Sequence, residues 1–494
     1  MHKISMEKRM TFRRHIITSV FLATLFLVSQ CFAQSSQNNS NKDSIQYLQS
    51  LWQVFNTVQQ NYVDEVDPKV LYEGALKGMM SSLGDPYTVY LDATDMRSMN
   101  DTTSGNFYGV GLSISKPVES TAVKPAYVDV VSPIQNTPGF KAGIQSGDKI
   151  IEIDGEPTPE MSMEVVLSKL RGERGAPVEV TILRGTSVTF KKTLIRDLIE
   201  VPTVEYGMIG KVGYVKLIQF TPETEVHLQE ALDSFASIGY TGLIIDVRNN
   251  PGGLLDSAVN IADKFIDSGV IVSTKGRILG SNEVFNASKD KTTVKKGIPI
   301  IVLINKGSAS ASEILSGALK DHHLAYLVGN RTYGKGSVQT ISRLPESNGI
   351  KLTIAKYYTP SDTNINVVGI PPDLEIGYPD YTDEENKEYL RLLESDEVAK
   401  TVAVKETMTE TDIANSAKVL QAKYKLPLPL LRRLIRLEAN RKKGSMLYDL
   451  DYDIQLNKAL EILRDGKFSQ LIRTTKTLKE LQVESEAAEK TKTE

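Results

Sequence analysis

Three serines lie close together where a strand is predicted to turn into a helix. Residues 299–304 form a continuous apolar run, and the small-residue segment that follows carries Ser308, Ser310 and Ser312. A hydroxyl at the start of a helix lies near backbone N–H groups and the positive end of the helix dipole, which stabilise developing negative charge. Serines are also common helix caps, so this segment alone leaves a catalytic and a capping role open.

A serine hydroxyl is a weak nucleophile and needs a neighbouring base. Beyond residue 33 the histidines are His227, His322 and His323. Nothing in the pattern places any of them beside the serines, although a Ser–His–Asp arrangement stays open. The alternative is Lys335, which stands between two glycines after a strand-like run. A lysine can act as a base when burial lowers its pKa, although a lysine between glycines is also an ordinary loop residue.

A third segment, from Asp246 to Gly253, also follows an apolar strand directly. Its two glycines, Gly252 and Gly253, allow backbone N–H groups to point at an anion. A plain strand-to-helix loop would have the same composition, so this segment by itself also supports two interpretations.

The elements around these segments divide the chain into regions of different pattern. Apolar residues at helical spacing between residues 44 and 83 predict a small helical bundle. Residues 107–194 are rich in short β runs and contain one predicted helix at 163–170. Strands and helices alternate from about residue 201 to 379, which predicts an α/β core. The chain beyond residue 381 is charged and helical in pattern.

The N-terminus has the layout of a secretory signal: a basic head, an uncharged apolar run at residues 16–32, and a small residue, Ala33. We expect cleavage after Ala33 and an exported, periplasmic protein. An uncleaved segment that attaches the protein to a membrane stays open, because the apolar run is near the lower length limit for a span.

Composition excludes several classes of protein. Cys31 is the single cysteine, so the mature chain would lack thiol nucleophiles, disulfides and thiolate metal sites. The net charge is −3, and removal of residues 1–33 takes away five basic residues and one acidic residue, leaving −7. A mildly acidic protein lacks the basic surface that nucleic-acid binding requires. We therefore expect no nucleic-acid partner, no cofactor and no metal.

In combination, the three segments resemble those of the carboxyl-terminal processing proteases, also called tail-specific proteases. The resemblance covers roughly residues 45 to 380. It is strongest in residues 246–253, 307–313 and 334–339, and it includes residues 84–88 and 357–360.

This resemblance implies a serine endopeptidase that uses a Ser–Lys pair. Ser310 would be the nucleophile, Lys335 the general base, and Gln339 the residue that orients the lysine. The implied oxyanion hole uses the N–H of Ala311 and one from the turn of Gly252 and Gly253.

Residues 107–194 resemble a PDZ domain inserted before the catalytic core. The segment of Gly109, Val110, Gly111 and Leu112 is similar to the carboxylate-binding loop and the strand after it, so a free chain end would pair there by β-augmentation. Arg171 resembles a family position that links the PDZ domain to the active state. The implied partners are proteins or peptides with free C-termini and an adaptor or activating ligand at the PDZ domain; a homo-oligomer stays open.

The predicted fold class is α/β and multidomain, with a PDZ domain, a crotonase-like α/β protease core, and helical N- and C-terminal regions. The predicted boundaries are a signal peptide at 1–33, a linker at 34–43, N-terminal helices at 44–100, the PDZ domain at 101–195, the protease core at 196–380 and the C-terminal helical region at 381–494. The main alternative function is an inactive PDZ-containing adaptor. A crotonase-like acyl-CoA enzyme is a further alternative, which the signal segment opposes.

Overall fold

The computed structural model describes residues 43–117, 120, 125–134, 136–378, 381–405, 407–440 and 447–493. The described residues divide between Tyr90 and Leu91 into two compact units. The predicted signal peptide lies outside the described residues, as does the predicted linker apart from its last residue. Within the described ranges, no helix combines the length and the apolar character that a membrane crossing needs.

The first unit contains helices α1 (residues 43–61) and α2 (Pro68–Ser81), and strand β1 (Val89–Leu91) begins at its end. Both helices form where the apolar spacing predicted them. However, α2 buries no residue, and large side chains such as Trp52 and Val70 are mostly exposed. The predicted helices are therefore confirmed, whereas the described part of α1 and α2 shows no buried interior between them. Amphipathic spacing indicates that a helix face needs cover, but it does not specify what covers it.

The second unit begins with a small β-domain. Its elements are α3 (Ala93–Ser104), β2 (Asn106–Gly109), β3 (Leu112–Ser115), β4 (Val128–Pro133), α4 (Pro138–Lys141), β5 (Lys149–Ile153), β6 (Glu156–Pro157), α5 (Met163–Leu170), β7 (Pro177–Arg184), β8 (Val188–Ile195) and β9 (Asp197–Glu200). The sheet is antiparallel in the order β3-β4-β5-β7-β8, with β6 on β5, and β2 pairs separately with β9. Alternate residues of β7, including Val178 and Val180, are fully buried in one cluster with Val166 of α5, as the alternation of side chains along a strand requires.

An α/β core follows. Its elements are β10 (Val204–Ile209), β11 (Val212–Leu217), α6 (Thr224–Ile238), β12 (Gly242–Asp246), α7 (Leu255–Asp263), β13 (Val270–Gly276), β14 (Glu283–Asn286), β15 (Ile300–Ile304), α8 (Ala311–Asp321), β16 (Ala325–Gly329), β17 (Ser337–Arg343), β18 (Gly349–Tyr358) and β19 (Leu374–Glu375). The main sheet has the order β10-β11-β12-β15-β16-β19 and is parallel except for the β10–β11 pair. Strands β14, β13, β18 and β17 pair side by side as antiparallel neighbours.

The C-terminal region is helical and has two parts. Its elements are α9 (Asp383–Glu394), α10 (Glu397–Ala403), α11 (Glu410–Tyr424), α12 (Leu428–Asn440), α13 (Ile454–Arg464), α14 (Phe468–Leu471) and α15 (Leu478–Thr493). Helices α9 to α12, which we call the helical module, share a hydrophobic cluster of their own. Helices α13 and α14 instead share a cluster with the main sheet.

The main sheet is covered on both faces, and β15 shows this directly. All five residues of β15 are buried. Ile300, Val302 and Ile304 belong to the cluster that contains α6, α7 and α8, whereas Ile301 and Leu303 belong to the cluster that contains α13. This explains the continuous apolar run in the sequence, since a strand covered on both faces shows no polar alternation.

Candidate active site

Ser310 lies in the turn between β15 and α8, where the strand-to-helix transition was predicted. Its φ is +55°, a conformation that non-glycine residues rarely adopt and that often marks functional turns. The two flanking serines have structural partners: Ser308 Oγ donates to Val247 O at 2.8 Å, and Ser312 Oγ donates to Asn250 O at 2.9 Å. The flanking serines therefore fasten the turn to the segment after β12, while Ser310 is half-buried at the start of the helix.

The turn of Ser310 and the turn of Lys335 meet at the buried carboxylate of Glu313. Oε2 of Glu313 accepts the backbone N–H groups of Ser310 at 2.8 Å and Lys335 at 2.9 Å. Oε1 accepts the N–H of Gly334 at 2.7 Å and the hydroxyl of Thr332 at 2.6 Å. Burial raises the pKa of Glu313, and these four hydrogen bonds oppose that rise. One carboxylate thus fixes the backbone of both turns.

A second contact joins the same two turns. The hydroxyl of Tyr357, a buried residue of β18, donates to the carbonyl oxygen of Lys335 and, at 3.3 Å, to that of Ser310. Neither Tyr357 nor Glu313 was among the predicted site residues. The sequence did carry a signal for Glu313, because a serine followed three residues later by a glutamate is the pattern of a helix capping box.

Lys335 is half-buried and follows Gly334, whose φ is +89°. Gln339 lies in β17, where its Nε2 donates to Ser337 Oγ at 2.9 Å and Thr353 Oγ1 at 3.4 Å. With the amide nitrogen engaged in this way, the side-chain oxygen of Gln339 is the group that can accept a hydrogen bond from a lysine.

The glycine turn after β12 lies directly against Ser310. A Cβ atom added to Gly252 would lie 2.8 Å from Ser310 Cβ and 2.9 Å from Ala311 N. The N–H of Gly252 donates to Asn250 Oδ1 at 2.9 Å. Because this bond occupies the N–H of Gly252, the donors that remain for the predicted oxyanion hole are Gly253 N and Ala311 N. Asn250 was not predicted, and its side chain shapes the turn from inside.

The histidines considered as alternative bases lie elsewhere. His322 and His323 follow the C-terminal end of α8, so the helix rise of 1.5 Å per residue places them about 18 Å along the helix from Ser310. His322 Nε2 pairs with Val270 O at 2.8 Å, and His323 Nδ1 pairs with Thr475 Oγ1 at 2.8 Å. The geometry gives no support to a Ser–His–Asp arrangement at Ser310.

The loop predicted to bind a carboxylate connects β2, which ends at Gly109, to β3, which begins at Leu112. Val110 between them is buried. Gly111 has a φ of +69°, and its carbonyl oxygen accepts the hydroxyl of Thr137 at 3.0 Å. A Cβ atom on Gly111 would overlap the Thr137 side chain, so the loop conformation requires glycine here.

Arg171 lies at the end of α5, outside that loop. Its Nη1 donates to Asp101 Oδ2 of α3 at 2.5 Å, and its guanidinium lies 4.8 Å from the ring centroid of Phe107. Burial raises the pKa of Asp101, and the positive charge of Arg171 opposes this rise. Arg171 therefore joins the end of α5 to α3.

Comparison with known families assigns three parts of the chain. A model described as peptidase family S41 matches residues 211–376, and a PDZ domain model matches residues 130–184. A model described as the N-terminal domain of the activating protease CtpB matches residues 22–95. The predicted family, the PDZ domain and the mixed α/β fold class with helical N- and C-terminal regions are confirmed.

Two relatives agree with these matches, and one solved structure is similar over part of the chain. The carboxy-terminal-processing protease of Bartonella bacilliformis is 41% identical over 368 residues, which cover 74% of this chain and 82% of that protein. A probable CtpA-like serine protease of Staphylococcus aureus is 30% identical over 482 residues, covering 93% and 94% of the two chains. The solved structure of a photosystem II D1 C-terminal processing protease is 29% identical and covers 66% of this chain and 92% of that one, with a TM-score of 0.40. The chain belongs to the carboxy-terminal-processing proteases of peptidase family S41.

Proposed function

We propose that this chain is an exported serine endopeptidase that cleaves proteins recognised by their C-terminal tails, with Ser310 as nucleophile and Lys335 as general base. The observation that carries the pairing of these two residues is the carboxylate of Glu313, which holds the backbone N–H groups of both at 2.8 and 2.9 Å. Two turns that are 25 residues apart in sequence are thus fixed by one side chain. Such fixed geometry is what nucleophile activation by a neighbouring base requires.

In the proposed mechanism, neutral Lys335 takes the proton from the Ser310 hydroxyl as this attacks the substrate carbonyl. The N–H groups of Ala311 and Gly253 stabilise the oxyanion. Lys335 then returns the proton to the leaving amine, and water hydrolyses the acyl-enzyme. Gln339 can accept a hydrogen bond from the lysine without adding charge, whereas a carboxylate there would raise the lysine pKa and weaken the base.

The PDZ domain supplies the proposed tail recognition. A free C-terminus would pair along β3, with its carboxylate at the loop from Gly109 to Leu112. The buried Val110 and the glycine-dependent conformation at Gly111 keep this loop in a fixed shape, which lowers the entropy cost of binding.

The test compares wild type, Ser310→Ala and Lys335→Arg, all without residues 1–33, on an unfolded protein with an apolar C-terminus. Cleavage is expected from wild type alone and should stop when the C-terminus is masked. Arginine cannot replace the lysine because a guanidinium stays protonated. Cleavage by the Lys335→Arg variant would mean that the base is elsewhere, and cleavage by none of the three would favour an adaptor or a missing activator.

Export rests on the N-terminal sequence pattern alone. N-terminal sequencing of the protein from a periplasmic fraction should begin at Gln34. Recovery of an intact Met1 in the membrane fraction would instead establish a retained anchor.

A further inference from the structure

The segment that leads into the glycine turn is held by a residue of the C-terminal region. β12 ends at Asp246, and Arg248 follows two residues later, immediately before the turn that reaches Gly252. Arg248 Nη1 donates to Asp453 Oδ1 at 2.9 Å, and Nη2 donates to Asp453 Oδ2 at 2.6 Å. This is a two-pronged guanidinium–carboxylate pair, the arrangement that fixes both distance and orientation.

Every N–H donor of the Arg248 side chain has a partner. Besides the two bonds to Asp453, Nε donates to Asp246 Oδ1 at 2.9 Å and Nη2 to Asp246 Oδ2 at 2.6 Å. Nη1 also donates to Gln455 Oε1 at 2.9 Å. Since an arginine side chain has five N–H groups, none is left to bind a substrate carboxylate. Arg248 therefore influences the site by fixing the backbone that leads into the glycine turn.

Asp453 is itself firmly placed. It caps α13 by accepting the N–H of Leu456 at 2.9 Å, and α13 packs on the main sheet. The neighbouring Gln455 donates to Ile376 O at 2.6 Å. Because Asp453 is fixed on α13, the position of α13 determines where the Arg248 side chain is held. Arg248 and Asp453 are 205 positions apart in sequence.

The other anchors of the turn come from the protease core. Asn249 N donates to Asn305 Oδ1 at 2.9 Å, and Asn250 Nδ2 donates to Leu217 O at 2.8 Å. Phe220 N donates to Gly252 O at 3.0 Å. The start of the turn differs from the rest, because Arg248 is held by Asp453 of the C-terminal region as well as by Asp246 of the core.

We propose that Asp453 is a positioning residue for peptide hydrolysis: through Arg248 it holds the turn whose Gly253 N–H stabilises the oxyanion. This rests on the oxyanion role assigned under the proposed function. It makes α13 part of the catalytic unit and separates it from the helical module that precedes it in the chain.

The decisive variants are Asp453→Asn and Asp453→Ser in the chain that lacks only residues 1–33. Asn and Ser cap helices about as well as Asp, so both variants keep the cap on α13 while they remove the ion pair. Asp451→Asn is the matched control, because Asp451 lies in the same stretch and pairs with Arg436 at 2.5 Å instead of Arg248.

Three quantities are measured for each variant: kcat and KM on a peptide substrate, inhibition by a peptide aldehyde, and hydrogen exchange of the peptide that covers residues 247–254. Both Asp453 variants should lose about 10- to 100-fold in kcat with KM nearly unchanged, the effect of a small displacement of catalytic groups. Aldehyde affinity should fall with kcat, because the aldehyde adduct carries the oxyanion. Exchange should rise at 247–254, and Asp451→Asn should match wild type throughout.

The outcomes separate this proposal from the proposed function. Unchanged kcat in both Asp453 variants would overturn it, as would exchange that rises across the whole sheet in step with lost thermal stability. If wild type itself shows no peptidase activity while Asp453→Asn still raises exchange at 247–254, the link from Asp453 to the turn is supported, and it is the proposed function that fails or lacks its activator. No change in exchange at 247–254 would overturn the proposal whether or not wild type is active.

Discussion

The active-site end of the protease core and the helical module differ in what their interiors are made of. Around Ser310, buried polar groups are linked by directed hydrogen bonds, of which Glu313 accepts four. The module is packed by apolar side chains such as Leu420 and Leu431, and none of the buried polar residues in the described part of the chain lies between residues 381 and 405 or 407 and 440.

Apolar packing and buried hydrogen-bond networks respond differently to mutation. Apolar packing tolerates small shifts because dispersion and hydrophobic burial have little directionality. A buried polar network tolerates few, because each group that loses its partner keeps its desolvation cost. The core therefore holds catalytic groups in fixed positions at the risk of large losses on mutation, whereas the module should tolerate small shifts in its packing.

The largest effect is expected from Gly252→Ala. The added Cβ would meet Ala309 O at 2.6 Å, Ser310 Cβ at 2.8 Å and Ala311 N at 2.9 Å, and the φ of +101° already disfavours a side chain. The turn must shift away from Ser310, so we expect kcat to fall about 10³-fold, as when oxyanion donors are lost. Steady-state kinetics, with far-UV circular dichroism to confirm folding, measure this.

Gly466→Ala is the control for that prediction. Gly466 also has a positive φ, +72°, but a Cβ there would meet nothing within 4 Å. It should lower the free energy of unfolding by about 1 kcal/mol and leave kcat unchanged. Equal loss of activity in the two variants would show that backbone strain, and not the contact with Ser310, causes the effect.

Glu313→Gln should rank second. The amide has the shape of the carboxylate, but its NH₂ group would face two of the four donors, leaving them unpaired at about 1–3 kcal/mol each. Because those donors belong to the turns of Ser310 and Lys335, we expect turnover to fall about 10²-fold. The rate at which a fluorophosphonate labels Ser310 should fall with it. The same change at the exposed Glu230 is the matched control. If Glu313→Gln is labelled at the wild-type rate, the hydrogen bonds of Glu313 to the two turns are not needed for activity.

A matched pair of leucines tests the division of the C-terminal region. Leu460 of α13 packs in the cluster of the main sheet, and Leu420 of α11 packs in the helical module; both are about equally buried. Each Leu→Ala change should cost about 2–5 kcal/mol locally. Leu460→Ala should lower the temperature at which peptidase activity is lost, whereas Leu420→Ala should speed hydrogen exchange in α9 to α12 and leave that temperature nearly unchanged. Equal loss of heat resistance in both would mean that module and core unfold as one.

The local parts of the site could be predicted from sequence. The apolar run at 299–304 became β15, and the small-residue segment after it became the turn at Ser310, because burial pattern and turn composition act over neighbouring residues. The partnership of Asp453 with Arg248 could not be predicted, since two charged residues so far apart carry no local pattern. The residues that cover the N-terminal helices could not be predicted for a related reason: an apolar helix face does not specify what will cover it.

The smallest effect concerns surface charge in the module. The Asp412 carboxylate accepts Lys405 Nζ at 2.5 Å, Thr409 N at 3.0 Å and Thr409 Oγ1 at 2.8 Å. The bond from Lys405, followed by those from Thr409, lowers the pKa of Asp412 to about 2. Because this folded-state pKa lies below the value of about 3.9 in an unfolded chain, the stabilisation is present above about pH 4 and is lost as the pH falls towards 2.

Hydrogen exchange in α11 measured between pH 5 and pH 2 should therefore show stability falling more steeply in wild type than in Asp412→Asn, with the two curves meeting near pH 2. Lys405→Met should flatten the wild-type curve in the same way, since Lys405 is the largest cause of the lowered pKa. Added salt should shrink the difference, because the pair is exposed and screened. Peptidase activity at neutral pH should not change in either variant. A loss of activity there would show that the module is coupled to the active site and would remove the contrast between the two regions.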